Sequence, residues 1–257
     1  MADFTEANRK YFDQMASSYK NRFANVLKTL TEQVQQHRLW LSDRWTDTDT
    51  GKGQEIKMLE YACGPGAVSM ALAPFLTKVI GIDVSENMID DYNRNAAAVG
   101  FSDKVTGYKA DLLGESVAAQ FSGPEFIDFD VLTVSMALHH FEHPDQALKR
   151  LASRVKKGGA CLIIDLVPHT QHEHGHGHGH ENGHGHGHGH GPEGHDFGDA
   201  SATVMVHGFS REDMRKLFEG AGLSAGFDYE ILSEPLVFTQ EDKTISKTAF
   251  IARAQRA

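Results

Sequence analysis

The chain has 257 residues, of which 40% are hydrophobic, and its formal net charge at pH 7 is -10. This length allows one large domain with a substantial core. The acidic balance argues against a general binder of nucleic acids or of anionic membrane surfaces. We expect no signal peptide, because no basic segment followed by an apolar one opens the chain, and no membrane span, because no apolar run approaches about 18 residues.

The two cysteines, Cys63 and Cys161, fall in segments with the composition of core strands or of the loops next to them. Their number and position do not indicate a disulfide framework, so we expect a reducing compartment. The predicted location is therefore the cytoplasm, and the nucleus stays open as a second location.

Residues 5–45 are predicted to be helical, because apolar side chains recur there at steps of three and four residues. The recurring residues are Phe12, Met15, Tyr19, Phe23, Leu30 and Val34. A polar stretch at residues 46–53 follows and is typical of a linker. We therefore predict that residues 1–50 form a helical unit in front of the main domain.

Residues 56–69 are the stretch on which the function prediction depends. A short apolar run ends on Glu60, a tight turn follows at Gly64 and Gly66, and a helix of small residues begins after it. A strand, a glycine turn and a helix N-terminus in this order form the place where an α/β sheet binds a nucleotide-like cofactor. The segment does not fit the dinucleotide fingerprint G-x-G-x-x-G, and its acid suits an amine-bearing ligand better than a pyrophosphate.

The next two predicted strands also end on acids. Residues 79–83 end at Asp83, which lies seventeen residues after Gly66, close to the spacing expected for an acid that accepts ribose hydroxyls. Residues 105–112 form a third strand with Asp111 at its end. A solvated loop position is the alternative for Asp111, and an ordinary glycine turn is the alternative for the loop before it.

Two more apolar runs predict strands that are buried on both faces, as parallel strands require. They lie at residues 129–135 and 160–165, and a helix is expected to begin after Ser210, a good capping residue. The last two strands are predicted at residues 227–232 and 247–253. Strands that alternate with helices in this way predict a doubly wound parallel sheet.

Between residues 169 and 195 the composition changes to alternating His and Gly, and this stretch holds eleven of the 16 histidines. Such a composition cannot bury a core, so residues 169–196 are predicted to be a disordered insert. The imidazoles could bind Zn²⁺, Ni²⁺ or Cu²⁺, but the stretch lacks the defined spacing of a structural zinc site. We expect a spacer and predict no functional metal site.

The ordered motifs resemble those of class I S-adenosylmethionine-dependent methyltransferases of the small-molecule, ubiquinone-biosynthesis-like type. The segment from Glu60 to Gly66 is similar to the family pattern acid-x-G-x-G-x-G and departs from it at Ala62. Residues 129–140 are similar to a family segment that ends in L-H-H, and residues 12–19 to the pattern F-D-x-x-A-x-x-Y. With its His/Gly-rich insert, the chain is expected to be a fungal member.

The resemblance implies an α/β fold with a Rossmann-like, doubly wound, mostly parallel seven-stranded sheet and an antiparallel closing strand. Residues 51–168 would form the cofactor-binding core, and residues 197–257 the C-terminal helix and closing hairpin of the same core. Residues 1–50 would form a lid over the cofactor and the substrate.

The resemblance also implies roles in a site for S-adenosylmethionine. Glu60 would lie near the amino group of the cofactor, Asp83 would take the ribose hydroxyls, and Asp111 the adenine amino group. The full predicted cofactor-binding set is Glu60, Ala62, Gly64, Gly66, Asp83, Met88, Asp111, Ser135 and Tyr19. Plain core packing stays open as the alternative for Met88.

A catalytic base is needed only if the acceptor nucleophile carries a proton of high pKa, and His140 and His207 are the candidates. A surface loop position is the alternative for His207. The predicted function is methyl transfer to a small-molecule acceptor through an O, N, S or C atom that the sequence does not decide. We expect no nucleic-acid and no membrane partner, and a homodimer or heterodimer stays open.

Two other functions compete with methyl transfer. The chain could be a methyltransferase-like regulatory subunit that acts through a protein partner, with the N-terminal helix and the insert as its contact features. A nicotinamide oxidoreductase is disfavoured because the loop lacks G-x-G-x-x-G.

Overall fold

The structure, a computed structural model, describes residues 2–168, 203–240 and 243–257. The predicted His/Gly-rich insert at residues 169–196 lies outside the described residues. The strands are β1 (Lys57–Tyr61), β2 (Lys78–Asp83), β3 (Val105–Lys109), β4 (Phe129–Ser135), β5 (Val155–Leu166), β6 (Ala225–Ile231), β7 (Leu236–Gln240), β8 (Lys243–Lys247) and β9 (Ala249–Gln255). The helices are α1 (Ala2–Arg22), α2 (Ala24–Gln36), α3 (Arg38–Leu41), α4 (Ala67–Leu72), α5 (Glu86–Ala98), α6 (Pro144–Ala152) and α7 (Arg211–Gly220).

Seven of these strands form one sheet in the order β3-β2-β1-β4-β5-β9-β6. The pairs β1–β2, β2–β3, β1–β4 and β4–β5 are parallel, whereas β9 runs antiparallel to both β5 and β6. The predicted mostly parallel seven-stranded sheet with an antiparallel closing strand is confirmed.

Successive residues of the central strands face opposite sides of the sheet, which explains why these strands are apolar throughout. Met58 and Val79 pack on the side that carries α2, α4 and α5. Leu59 and Ile80 pack on the side that carries α6 and α7. Both faces of the sheet are therefore covered by helices, as expected for a doubly wound fold.

The N-terminal segment is helical, but it is divided into three helices with breaks at Phe23 and His37. The predicted helical region of residues 5–45 therefore ends earlier, at Leu41. Val26, Leu30 and Val34 of α2 are buried in the same core cluster as α4, so this helix packs on the main domain.

A two-stranded sheet of β7 and β8 lies between β6 and β9 in the chain, and the sequence analysis did not predict it. Phe238 of β7 contacts Phe23 with ring centroids 6.0 Å apart, so this hairpin meets the junction of α1 and α2. The closing pair of strands is thus interrupted by an element that reaches the N-terminal helices.

The ring of Tyr92, on α5, fills a slot that three glycines leave open. A Cβ atom at Gly81 of β2 would lie 2.4 Å from Tyr92 Cζ. A Cβ at Gly66 or at Gly107 of β3 would lie 2.7 or 2.8 Å from the same ring. These distances are too short for any side chain, so the glycines allow α5 to lie close to the sheet. The Tyr92 hydroxyl donates a hydrogen bond of 2.7 Å to Ser69 Oγ.

We predict that Gly81→Ala destabilises the protein by about 1–3 kcal/mol, because the added methyl group overpacks the Tyr92 ring. Urea unfolding followed by circular dichroism measures the change. Gly220→Ala is the matched control, since its Cβ would meet nothing within 4 Å, and it should leave the stability unchanged or slightly higher. Gly81→Ala should cost less in a Tyr92→Leu background than in the wild type, because the smaller side chain leaves room for the methyl group. Equal stability of Gly81→Ala and Gly220→Ala would contradict this account of the slot.

Candidate active site

A cavity of about 870 Å³ lies at the carboxyl ends of β1, β2, β3 and β4. The sheet order changes direction between β1 and β4, and open α/β sheets bind ligands at such a point. Residues of α1, of α2 and of the β7–β8 hairpin also line the cavity. The volume falls within the range of about 300–1,000 Å³ that is usual for small-molecule sites.

The backbone of the glycine loop is left-handed at three positions, with φ of 53° at Ala62, 48° at Gly64 and 86° at Gly66. Ala62 and Gly64 line the cavity, and a Cβ on Gly64 would meet no atom within 4 Å. Gly66 does not line the cavity, because it lies under the ring of Tyr92. The structure thus gives Gly66 a packing role, and its contact with a cofactor stays a prediction.

Glu60 is buried beneath this loop, and it also lines the cavity. Its Oε2 accepts hydrogen bonds from the backbone nitrogen of Ser69 at 2.9 Å and from Ser69 Oγ at 2.5 Å. Burial raises the pKa of Glu60 from 4.5 to about 7, the Ser69 hydrogen bonds oppose that shift, and the nearby charge of Asp83 adds to it. Glu60 therefore holds the first turns of α4.

Asp83 lies at the end of β2, is buried, and lines the cavity. Its Oδ2 accepts a hydrogen bond of 2.9 Å from the backbone of Gly64, and its Oδ1 accepts one of 2.9 Å from the backbone of Ser85. Burial raises the pKa of Asp83, and these backbone N–H groups oppose the shift. The carboxylate thus ties the glycine loop to the start of α5. Ser85 caps this helix, because its side chain accepts a hydrogen bond from the backbone nitrogen of Met88.

The start of α5 is also the point where α1 is attached to the domain. Ser85 Oγ donates a hydrogen bond of 2.6 Å to Asp13 Oδ1, and Asn87 Nδ2 donates one of 2.9 Å to the Asp13 carbonyl. Arg9 donates a further hydrogen bond of 2.6 Å to Asp13 Oδ2. Asp13 belongs to the F-D-x-x-A-x-x-Y segment, but the sequence analysis assigned it no role.

Two predicted contacts of the cofactor base line the same cavity. Asp111 Oδ1 accepts hydrogen bonds from the Tyr61 hydroxyl at 3.2 Å and from the backbone of Leu113 at 2.8 Å. Met88 is a buried residue of α5, 1% exposed, and it also lines the cavity, so it serves the core and the site at once.

Ser135, at the end of β4, and Tyr19, on α1, also line the cavity. In the described part of the chain, the buried Oγ of Ser135 has no hydrogen-bond partner. Burial raises the pKa of Tyr19, and the charge of Asp83 adds to the shift, so this phenol remains protonated. The ring of Tyr19 packs against Phe23 with centroids 4.5 Å apart.

Of the two predicted base candidates, only His140 lines the cavity. Its Nδ1 donates a hydrogen bond of 2.6 Å to the Thr203 carbonyl, and its ring meets Phe12 edge to face. Burial lowers the pKa of His140 to about 3, and the neighbouring His139 ring adds to that shift. His207 is exposed and lies outside the cavity lining, so the structure does not bring it together with His140, and its role as a base stays a prediction.

The structure brings a second histidine to the cavity that the sequence analysis did not select. His139 Nδ1 lies 2.7 Å from Asp165 Oδ1, and the His139 backbone nitrogen donates a hydrogen bond of 3.2 Å to Asp165 Oδ2. Both residues are buried, and His139 lines the cavity. Asp165 could have been found from the sequence, because it is the acid near the end of an apolar run that predicts a buried strand.

The described residues contain no group of three or more His, Cys, Asp or Glu side chains that could hold a metal ion. In the same ranges, no helix is long and apolar enough to cross a membrane. Both cysteines are buried and are not joined to each other.

A comparison with protein families identifies the family of the chain. The methyltransferase domain family matches residues 34–225, about three quarters of the sequence. The chain therefore belongs to this methyltransferase family.

Curated relatives match less than half of the chain. An uncharacterized methyltransferase of Schizosaccharomyces pombe is 28% identical over 117 residues, which are 45% of this chain and 40% of the relative. A ubiquinone biosynthesis O-methyltransferase of Coxiella burnetii is 28% identical over 110 residues, 43% of this chain and 42% of the relative. The chain thus matches about two fifths of the length of these relatives.

Solved structures share the fold over nearly the whole chain. Magnesium protoporphyrin IX methyltransferase from Synechocystis PCC 6803, solved with bound SAH, has a TM-score of 0.60 at 14% identity and covers 99% of this chain and 100% of its own. A SAM-dependent methyltransferase from Anabaena variabilis has a TM-score of 0.60 at 18% identity, with coverages of 98% and 95%.

Glu60 generates a prediction for the pH dependence of stability. Because its folded pKa is raised from 4.5 to about 7, its stabilising contribution is complete below pH 4.5 and is lost as the pH rises through 7. Glu60→Gln removes this loss, so the variant should gain up to ~3 kcal/mol on the wild type between those pH values, at ~1.4 kcal/mol per pKa unit. Urea unfolding at several pH values gives the difference.

The control for this experiment is Glu212→Gln, because Glu212 is exposed and pairs only across one turn of α7 with Lys216. Its stability difference from the wild type should not depend on pH in the same window. A flat difference for Glu60→Gln would show that Glu60 stays ionised in the folded protein.

Proposed function

We propose that the chain transfers a methyl group from S-adenosylmethionine to a small-molecule acceptor in the cavity at the carboxyl ends of the strands. The observation that carries the proposal is the series of carboxylates at consecutive strand ends, Glu60, Asp83 and Asp111, all lining one cavity. Membership in the methyltransferase family supports the reaction. Solved structures of similar fold that contain bound SAM or SAH support the choice of cofactor.

The polar groups of the cavity fit such a cofactor. Each carboxylate oxygen of Asp83 accepts one backbone N–H and keeps a second lone pair, which suits two vicinal ribose hydroxyls. The open space in front of Gly64 lets a ligand approach the loop backbone. Ser135 Oγ, buried and without a partner among the described residues, suits the polar amino-acid end of the ligand.

The assignments within the site follow from these positions. Asp83 would hold the ribose, and Asp111 would accept from the adenine amino group beside the buried Met88. Glu60, Ala62, Gly64 and Ser135 would surround the amino-acid part, and Tyr19 would cover it from α1. Gly66 is left out of this set, since it serves the Tyr92 slot.

The cofactor would supply an activated methyl group on a sulfonium. The protein has to align the acceptor with that methyl group and exclude water, which are the main contributions to an in-line displacement. The walls from α1, α2 and the β7–β8 hairpin supply the exclusion through apolar side chains such as Phe12, Leu30 and Phe238. We infer that residues 1–50 act as a lid on the core formed by residues 51–168 and 197–257.

The size of the cavity and its closure by α1 support a small-molecule acceptor over a macromolecular one. A macromolecular acceptor would need an open groove, whereas this cavity is covered by a helix attached through Asp13 and Ser85. The two buried free cysteines support a reducing compartment and so a cytoplasmic location.

The proposal predicts a weaker cofactor site in Asp83→Asn. The amide keeps one acceptor oxygen but loses the charge, so the affinity for S-adenosylhomocysteine should fall by about 1.5–3 kcal/mol, the range for a hydrogen bond to a charged group. Titration calorimetry measures the affinity. Asp103→Asn, at an exposed position outside the cavity, is the matched control. Wild type without measurable affinity for S-adenosylmethionine or S-adenosylhomocysteine would remove the proposed function.

The lid assignment predicts a specific effect of Asp13→Ala. This change removes the acceptor of Ser85 and Arg9 and should increase amide hydrogen exchange in α1, while the core strands keep their protection. S-adenosylhomocysteine should slow exchange in α1 of the wild type. Gln14→Ala, at an exposed position of the same helix, is the control. Exchange in α1 that ignores both the ligand and Asp13→Ala would rule out the lid.

A further inference from the structure

The two histidines that follow β4 have different partners on the same ring atom. His139 Nδ1 is 2.7 Å from a carboxylate oxygen of Asp165, whereas His140 Nδ1 is 2.6 Å from the Thr203 carbonyl. Both partners can only accept, so both rings carry their proton on Nδ1 and their lone pair on Nε2. The two rings lie 4.1 Å apart and both line the cavity, and their Nδ1 partners differ in charge.

The partner decides which ring can take a second proton. A positive charge on His139 would sit beside the negative charge of Asp165, in a buried site where their attraction is strong. A positive charge on His140 would meet the Thr203 carbonyl dipole at Nδ1, and the charge of Asp165 would act on it without a hydrogen bond. Of the two rings, His139 is therefore the one with a carboxylate hydrogen-bonded to it that would stabilise a second proton.

Asp165 also fixes the orientation of the His139 ring. Its Oδ1 accepts from His139 Nδ1 and, at 2.7 Å, from the backbone of Leu166, and its Oδ2 accepts from the His139 backbone. On the other side of the turn, the His139 carbonyl accepts hydrogen bonds of 2.9 and 3.2 Å from the backbone of Met205 and Val206. The turn that carries His139 is thus held from β5 and from the chain before α7.

We propose that His139 is the catalytic residue that takes the proton of the methyl acceptor, that Asp165 is its positioning residue, and that the acceptor atom is the oxygen of a weakly acidic hydroxyl. This inference rests on the proposed function. Thiols ionise closer to neutral pH, and an ammonium group would be costly to bury between apolar walls, whereas a phenol-type hydroxyl with a pKa of about 10 enters neutral and requires a base. The walls near this turn, including Phe12 and Phe141, indicate an apolar body for the acceptor.

The step balances with the groups named. His139 Nε2 takes the hydroxyl proton, and the acceptor oxygen forms a bond to the methyl carbon as the carbon–sulfur bond breaks. The electron pair of the broken bond goes to sulfur, which becomes a neutral thioether. The imidazolium, stabilised by Asp165, returns its proton to solvent when the product leaves. No oxidant, reductant or further co-reactant is needed.

The first test uses the acidity of the acceptor. Wild type, His139→Asn, Asp165→Asn and the exposed control His207→Asn are assayed at neutral pH with S-adenosylmethionine and a panel of phenols, from alkyl-substituted phenols to pentafluorophenol. For weakly acidic phenols we expect His139→Asn to lose roughly 10²–10⁴-fold in kcat/KM, the usual contribution of a general base. Asp165→Asn should lose less, and His207→Asn nothing. For pentafluorophenol, which is already ionised, the loss in His139→Asn should largely disappear.

The outcomes separate this inference from the proposed function. Wild type that does not bind S-adenosylmethionine in titration calorimetry overturns both. Wild type that binds it but methylates no phenol overturns the inference alone, as do equal losses for His139→Asn across the acidity series. Thermal melting of each variant shows whether it is folded.

The second test does not depend on turnover. In protein with ¹⁵N-labelled histidine and no cofactor, the ring signals of His139, assigned by their absence in His139→Asn, should show the tautomer with the proton on Nδ1. Asp165→Asn should shift His139 toward the tautomer with the proton on Nε2, because the amide nitrogen offers a donor to Nδ1, and Asp103→Asn should not. His139 with its proton on Nε2 in the wild type would overturn the inference.

Discussion

A chain of buried hydrogen bonds beneath the glycine loop is the interaction on which the rest of the structure depends. The Tyr92 hydroxyl donates to Ser69 Oγ, and Ser69 Oγ donates to Glu60. These three groups join α5, α4 and the end of β1, the elements that enclose the loop. Because each buried polar group left without a partner costs about 1–3 kcal/mol, the chain holds only if all three groups are in place.

The chain also explains why residues of the site have two duties. Glu60 lines the cavity, and its Oε2 also holds the N-terminal turns of α4. Asp83 faces the cavity and at the same time ties Gly64 to Ser85. The groups suited to a ligand are therefore oriented by hydrogen bonds that exist without it, which reduces the ordering cost of binding.

The sequence could predict features that depend on neighbouring residues, but not those that depend on contacts between residues far apart in the chain. The strands, their parallel order and the acids at their ends follow from local apolar runs and spacing, and Asp83 and Asp111 line the cavity as those patterns indicate. Glycine spacing could not separate Gly64, which faces the cavity, from Gly66, which makes room for a ring 26 residues later in the chain. That distinction requires the packing of α5.

Contacts between distant segments account for the other differences. The pairing of His139 with Asp165 also spans 26 residues and depends on the register of β4 with β5, which no local pattern reveals. His140 and His207 have the same residue type and similar flanking polarity, so burial alone separates them. The β7–β8 hairpin was missed because its strands are five residues each and β8 has a single apolar residue, Ile245.

The electrostatics of the cavity bear on the direction of the proposed reaction. Burial raises the pKa of both Glu60 and Asp83, and the charge of Asp83 further disfavours the ionised form of Glu60. A ligand with positive charge relieves this repulsion, and it is attracted most strongly where water is excluded. Methyl transfer converts a sulfonium cation into a neutral thioether, so one positive charge leaves the ligand in the chemical step. The carboxylates at the strand ends would therefore hold the methyl donor more firmly than the thioether product. The same charges that help to bind the donor would then favour replacement of the product by a new donor after each transfer.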